Sequence, residues 1–245
     1  MSTIALVTGA NRGLGFAAAE ALARTGVTVI VAGRDGDAAS ESAARLVDEG
    51  LPAEALTLDV TSPESVSAGA AEVARRHGRL DILVNNAGIL PEATASGDSA
   101  FVDLDSLVAT FATNVFGVAS VTEHFLPLLQ RSASGRIVNV SSTMGSLSDQ
   151  ADPESPFYGS IVPGYQASKA AVNSLTIGLA KKLADSPMKV TSVCPGWVQT
   201  DLAPGNREHA PTTAEDAALV IVTAATLPDD APSGTFMSID GPVRW

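Results

Sequence analysis

Short apolar runs alternate with longer, Ala-rich amphipathic stretches along the chain. In the first half, residues 4–7, 27–32, 55–60 and 80–84 read as strands, and 16–24, 38–49 and 63–76 carry apolar positions at helical spacing. The run VTVIVA is apolar at both odd and even positions, as a strand must be when both faces of its sheet are covered. The second half continues with helical patterns at 104–130, 167–184 and 214–226 and strands at 136–140, 189–194 and 234–239. Strand–helix–strand repetition predicts right-handed crossovers, hence an α/β fold: a doubly wound parallel sheet with helices on both faces. No linker and no solenoid-type repeat interrupts the alternation, so residues 1–245 are expected to form a single domain. Two Pro/Gly-rich stretches, 149–164 and 196–211, lie inside the alternation and read as functional loops or lids rather than domain borders.

Composition narrows the function classes. With 245 residues and 45% apolar content, one well-buried core is expected. The formal net charge of -12 argues against a nucleic-acid partner, which needs a basic footprint, although local charge decides the binding of a small anion. The lone Cys194 has no internal disulfide partner, and a cytoplasmic home follows as the default. The run 4–7 is too short to cross a membrane, no later stretch of spanning length is free of charge, and no secretory leader pattern opens the sequence, so no membrane partner is expected. His77, His124 and His209 are scattered without zinc-like spacing, so no metal is expected, and His124 reads as structural.

Candidate chemistry starts between the first strand and the first helix, at Thr8-Gly9-Ala10-Asn11-Arg12-Gly13-Leu14-Gly15. Glycines there permit a tight turn and let backbone N–H groups approach a phosphate at the positive end of the next helix. The spacing is G-x-x-x-G-x-G, a weak signal whose strand–helix context points to a dinucleotide. At the end of the second strand, where an NAD site places an acid for the ribose 2′-hydroxyl, stand Gly33 and Arg34. Arg34, with Arg12 on the same side, would pair a 2′-phosphate, which favours NADP(H) over NAD(H); Asp35 next door works against it. Asp59 either caps the following helix, although Ser62-Pro63 is the better cap, or accepts a bond from an adenine amino group. Asn85-Asn86-Ala87-Gly88 follows the fourth strand, where small residues would let a cofactor lie against backbone, or where it is simply an Asn-rich turn.

A second group of residues suits proton transfer. Tyr165 and Lys169 are four apart on a predicted helix and share a face. An ammonium beside a phenol favours the phenolate and lowers a pKa otherwise near 10. Ser142, at the C-terminal end of a strand, would hydrogen-bond a substrate oxygen. Tyr158 is a rival tyrosine, but position 162 is Val, not Lys; Ser141 is a rival serine that strand alternation turns the other way.

The motifs TGANRGLG at 8–15, NNAG at 85–88, Asn114, VNVSS ending at Ser142, Tyr165-x-x-x-Lys169 and Pro195-Gly196 occur in an order that resembles the short-chain dehydrogenase/reductase family, from Ile4 to about Asp240. The resemblance implies a Rossmann-type sheet with one added strand and an oxidoreductase acting on a carbonyl or alcohol. It implies Tyr165 as general acid/base, Lys169 as its pKa modulator and a ribose ligand, Ser142 as orienter, and Asn114 as holder of a water in a proton relay. It also implies a cofactor set of Gly9, Asn11, Arg12, Gly13, Leu14, Gly15, Arg34, Asp59, Val60, Asn86, Ala87, Gly88, Tyr165, Lys169, Pro195, Gly196, Val198 and Thr200, the last two holding the nicotinamide carboxamide. One departure stands out: Ser142 and Tyr165 are 23 positions apart, more than is usual in the family. A larger insertion there marks a carbonyl-reductase-like branch, which the C-terminal Gly-Thr-Phe-Met-Ser also resembles. The insert leaves open whether the protein is a monomer or a homo-oligomer, and whether 149–164 acts as a lid or blocks an interface.

Met144, Tyr158 and Trp197 are candidates to line an apolar pocket for an uncharged, partly hydrophobic carbonyl, with 202–211 as a mobile lid. Trp197 reads equally well as a core residue, and Cys194 as an inert core thiol. Two other classes compete with a reductase. One is a nucleotide-sensing protein that keeps the fold without turnover; the other is an epimerase or dehydratase, for which too little chain follows residue 200.

Overall fold

A computed structural model describes residues 2–95 and 99–245. The first half is built from β1 (Ile4–Thr8), α1 (Gly13–Arg24), β2 (Thr28–Gly33), α2 (Gly36–Asp48), β3 (Ala53–Thr57), α3 (Pro63–His77) and β4 (Ile82–Asn85). After a one-turn 3-10 helix at Pro91–Thr94 come α4 (Leu104–Phe111), a π-helical turn (Ala112–Gly117), α5 (Val118–Leu129) and β5 (Arg136–Val140). A 3-10 turn (Thr143–Gly145) leads into α6 (Leu147–Ala151) and α7 (Pro163–Lys182). The chain closes with β6 (Lys189–Cys194), α8 (Asn206–His209), α9 (Ala214–Ala225), β7 (Thr235–Ser238) and β8 (Gly241–Pro242).

The strands form one sheet in the order β3-β2-β1-β4-β5-β6-β7-β8. Every pairing is parallel except the last, where β8 turns back on β7 through Met237 opposite Pro242. This is the expected doubly wound α/β sheet. Its two faces sort by the period of two along each strand. Ala5, Val7, Val29 and Val31 point to the layer of α1 and α9, while Ile4, Leu6, Ile30 and Leu83 point to Val66 of α3, Phe125 of α5 and Ala180 of α7. Phe125 and Leu6 are fully buried; each such side chain contributes about 1.5–3 kcal/mol relative to exposure.

Several boundaries differ from expectation, and β8 follows the run 234–239 that reads as the last strand. β3 ends at Thr57, so Asp59 and Val60 lie beyond the strand rather than closing it. The helical run expected over 104–130 is interrupted by the π turn, which a local periodicity does not reveal. α7 begins at Pro163 rather than Ala167: Pro163 occupies the first helical position, where its missing N–H costs nothing, so Tyr165 belongs to the first turn. The run 149–164 is not wholly irregular, because α6 extends into it. The stretch Leu104–Leu129 is long and apolar enough to span a membrane by length and composition, but here Val121, Phe125 and Leu129 are buried against the sheet.

Candidate active site

The loop after β1 is shaped by glycines where nothing larger fits. Gly9 and Gly13 have φ of 63° and 54°, in the left-handed region. A Cβ on Gly9 would stand 3.0 Å from the Ala87 Cα, and one on Gly15 would overlap the Gly9 carbonyl oxygen and the Asn86 amide. The NNAG segment is stitched to this loop. The Thr8 hydroxyl oxygen accepts from the N–H groups of Asn86 and Ala87, both at 3.0 Å, and the Asn86 amide donates to the Thr8 carbonyl oxygen at 2.8 Å. Asn85 turns away, donating to Asn139 Oδ1 at 2.9 Å and Thr122 Oγ1 at 3.1 Å, a structural role.

Helix α1 starts at Gly13 with Arg12 as its N-cap residue, yet no side chain caps it and no acid sits in its first turn. A glycine cradle facing an uncapped helix N-terminus fits a dinucleotide pyrophosphate. The other expected cofactor residues converge on the same edge of the sheet. Thr200 stands 3.4 Å from where a Gly13 Cβ would lie, Asn11 Oδ1 is 3.5 Å from that of Gly33, and Val60 packs on Gly117 of the π turn. Gly196, just past β6, has φ of 83°, and Val198 bridges to Thr212. Arg12 and Arg34 are exposed. Asp35 does not oppose them freely: its carboxylate caps α2, accepting from the N–H groups of Asp37 and Ala38, each at 3.1 Å. Asp59 accepts from the Thr61 N–H and hydroxyl, and Ser62 caps α3.

Tyr165 is 7% exposed, and Lys169, one helical turn on, is 5% exposed. The ammonium stands 5.5 Å from the centre of the phenol ring and donates to the Val140 carbonyl oxygen at 2.8 Å. Burial pulls the Lys169 pKa down to about 8. Burial also pushes the Tyr165 phenol above its ordinary value, with Cys194 a smaller cause in the same direction. The expected lowering of the phenol by the lysine is therefore absent from this geometry: the ammonium faces the ring and a carbonyl, and desolvation dominates.

Ser142 follows β5 and accepts the Met144 N–H at 3.1 Å. Its turn lies against α7 so tightly that a Cβ on Gly145 would sit 2.6 Å from the Lys169 backbone. Ser141 instead donates to the Lys169 carbonyl oxygen at 3.3 Å, as a packing residue. Cys194 is buried, as expected, but beside the site: its sulfur accepts the Thr143 N–H at 3.3 Å, and it acts electrostatically on Tyr165 and Lys169. Asn114 sits in the π turn. Its Oδ1 accepts the Ile89 N–H at 2.9 Å, and its Nδ2 donates to the Ile89 carbonyl oxygen at 3.0 Å and to Ser168 Oγ at 3.2 Å. A Cβ on Gly88 would be 3.4 Å from Asn114 Oδ1 and 3.7 Å from Lys169 Nζ, so the three converge. The Asn114 side chain acts as a clamp, with both amide hydrogens engaged and one acceptor position of Oδ1 filled.

The pocket residues divide. Trp197 is 54% exposed, which rules out the core reading; its indole N–H donates to Asn206 Oδ1 at 2.9 Å. With the Arg207–Asp201 ion pair and the Gln199 amide on the Ala210 carbonyl oxygen, this bond ties residues 197–210, including α8, to one another. Tyr158 faces elsewhere, lining a groove of about 350 Å³ with Phe101, Leu147 and Ile161. Two anchors were not foreseen. Arg244 pairs with Asp149 at 2.6 Å and Asp152 at 3.1 Å, and the Trp245 carbonyl oxygen accepts from Ser148, fastening α6. Glu92 accepts the N–H groups of Gly164 and Tyr165. Both join residues far apart in sequence, and no local pattern signals them.

Residues 3–211 match the family model described as short chain dehydrogenase. A short-chain dehydrogenase, anuI, of Penicillium roqueforti is 39% identical, the match covering 91% of this chain and 88% of that protein. The (+)-neomenthol dehydrogenase of Capsicum annuum is 31% identical, over 95% and 94% of the two chains. Among solved structures, an NADPH-bound carbonyl reductase from chicken fatty liver superposes with a TM-score of 0.85 at 28% identity, with full coverage of both chains.

Proposed function

This chain belongs to the short-chain dehydrogenase family of oxidoreductases, and from that premise we propose that it moves a hydride between NADP(H) and an uncharged, partly hydrophobic carbonyl or alcohol. Residues 1–245 act as one catalytic domain in this reading. The observation that carries it is the stacking of a buried Lys169 ammonium on the buried Tyr165 ring, 5.5 Å to its centre, beside the glycine cradle.

The cofactor, when bound, supplies or accepts the hydride. Tyr165 gives the proton to the developing alkoxide. Because burial keeps the phenol protonated at neutral pH, its resting state suits the acid of a reduction. Ser142 Oγ–H donates to the same oxygen, and Lys169 would hold the ribose hydroxyls and pass protons outward through a water held by Asn114. Gly9, Asn11, Gly13, Leu14, Gly15, Asp59, Val60, Asn86, Ala87, Gly88, Pro195, Gly196, Val198 and Thr200 hold the dinucleotide. Arg12 and Arg34 favour the 2′-phosphate, supported by the occupation of Asp35 in helix capping. Two relatives support the substrate class by their names, a neomenthol dehydrogenase and a carbonyl reductase holding NADPH.

Mixing the protein with NADPH and a panel of aldehydes, ketones and quinones tests this directly: loss of NADPH absorbance with apolar members is expected. Cofactor binding without turnover on any of them, unaffected by Tyr165→Phe, would leave a nucleotide sensor instead.

A further inference from the structure

We propose that Glu92 is the positioning residue that sets where Tyr165 stands, an inference that rests on Tyr165 being the proton donor. The first turn of α7 leaves its own N–H groups uncapped: Val162 offers no capping side chain, Gln166 Oε1 accepts only the Val162 N–H at 3.2 Å, and Pro163 has no N–H. The first N–H groups that need a partner belong to Gly164 and Tyr165. Glu92 satisfies both at once, Oε1 accepting from Gly164 at 3.0 Å and Oε2 from Tyr165 at 2.7 Å. A carboxylate on two N–H groups at a helix start gains from charge-assisted bonding and from the helix dipole.

Gly164 is matched to this contact. It does not adopt a left-handed φ, so its backbone conformation does not require glycine. What it supplies is room: a Cβ there would lie 3.1 Å from Glu92 Oε2 and 3.2 Å from Cδ. Glu92 is itself held. It sits on the turn Pro91–Thr94, three residues after Ile89, whose N–H and carbonyl oxygen are both bonded by Asn114. Asn114 also reaches Ser168 of α7. The segment that follows NNAG is thus fastened to the catalytic helix twice, once by Asn114 near Lys169 and once by Glu92 at the Tyr165 backbone. Fixing the Tyr165 nitrogen fixes the root of the phenol, and displacement of a reacting group by about 1 Å costs on the order of 100-fold in rate.

The test is steady-state kinetics on folded, full-length Glu92→Ala, Glu92→Gln, Gly164→Ala and Glu92→Ala/Gly164→Ala, with Tyr165→Phe alongside. Glu92→Ala should lower kcat by about 10- to 100-fold while the Kd for NADPH stays within about twofold, a split that general loosening of the fold would not produce. Glu92→Gln keeps one acceptor oxygen and should recover most of the loss. Gly164→Ala should lower kcat by less than Glu92→Ala, since a Cβ at 3.1 Å makes the carboxylate give way by only a few tenths of an ångström, and the double variant should be no worse than Glu92→Ala. Should Glu92→Ala not fold, Glu92→Gln and Gly164→Ala still decide the matter: a lowered kcat with an unchanged Kd for NADPH in at least one of them is expected. Wild-type kcat in Glu92→Ala, or in both Glu92→Gln and Gly164→Ala where Glu92→Ala does not fold, beside an inactive Tyr165→Phe, would overturn the positioning role. Full activity of Tyr165→Phe would instead remove the reading on which it rests.

Discussion

The Lys169 ammonium lies over the Tyr165 ring, 5.5 Å from its centre, and spends its hydrogen bond on the Val140 carbonyl oxygen at 2.8 Å. A cation and a phenol are thereby buried together with one backbone acceptor between two elements, β5 and α7. Burial has a measurable consequence for each.

For Lys169 that consequence is a pH-dependent stability. Its pKa in the folded chain, about 8, lies below the ordinary 10.5. Between those values the folded chain holds fewer protons than the unfolded one, so stability rises with pH across that window, and the cost of the buried charge is fully present below it. Urea unfolding of wild type and Lys169→Met from about pH 7 to about pH 10 should show their difference moving in favour of the lysine by on the order of 3 kcal/mol. A flat difference would mean the ammonium keeps its water.

Tyr165→Phe removes the proton and keeps the ring that covers Lys169. It should lower kcat by orders of magnitude and leave NADPH binding within a few-fold, as read by single-turnover kinetics and fluorescence titration. Turnover close to wild type would reject the assignment.

Arg34→Ala should weaken NADPH much more than NADH, because the lost partner is a 2′-phosphate that NADH lacks. Equal losses for the two cofactors in calorimetric titrations would show that Arg34 reads no phosphate.

Two glycines should respond oppositely to Ala. At Gly15 a methyl would overlap the Gly9 carbonyl oxygen and the Asn86 amide, so about 1–3 kcal/mol of stability and most NADPH affinity should be lost. At Gly178, exposed in α7 with open space around it, Ala should add about 0.5–1 kcal/mol. Thermal melts with and without NADPH compare the two.

Much of the fold was legible because the strands are apolar on both faces and the helices on one, and these periods belong to local sequence. The Tyr165–Lys169 pair was legible for the same reason: four residues on a helix make neighbours. What escaped depends on contacts across the fold. The π turn at Asn114 makes room for Ile89 and Ser168, and nothing in the local periodicity encodes it. Glu92 meets its partners 72 and 73 positions away. The start of α7 was misplaced because Pro163-Gly164 reads as a loop, although proline suits a first helical position and glycine here admits a carboxylate. The direction of the phenol's own shift was not legible, because the nearness of the lysine was foreseen and the depth of burial was not.

The clasp of Arg244 on Asp149 closes a span of 95 positions. A nascent chain that has emerged through α7 already carries Ser142, Tyr165 and Lys169, yet α6 beside them holds only to its own neighbourhood, Gln150 donating to the Met144 carbonyl oxygen, until the far end of the sheet is made. Such distant closures come late in folding. Full rigidity should therefore lag behind formation of the reactive groups themselves, and a partly synthesised chain would own the chemistry before the segment beside it was fastened.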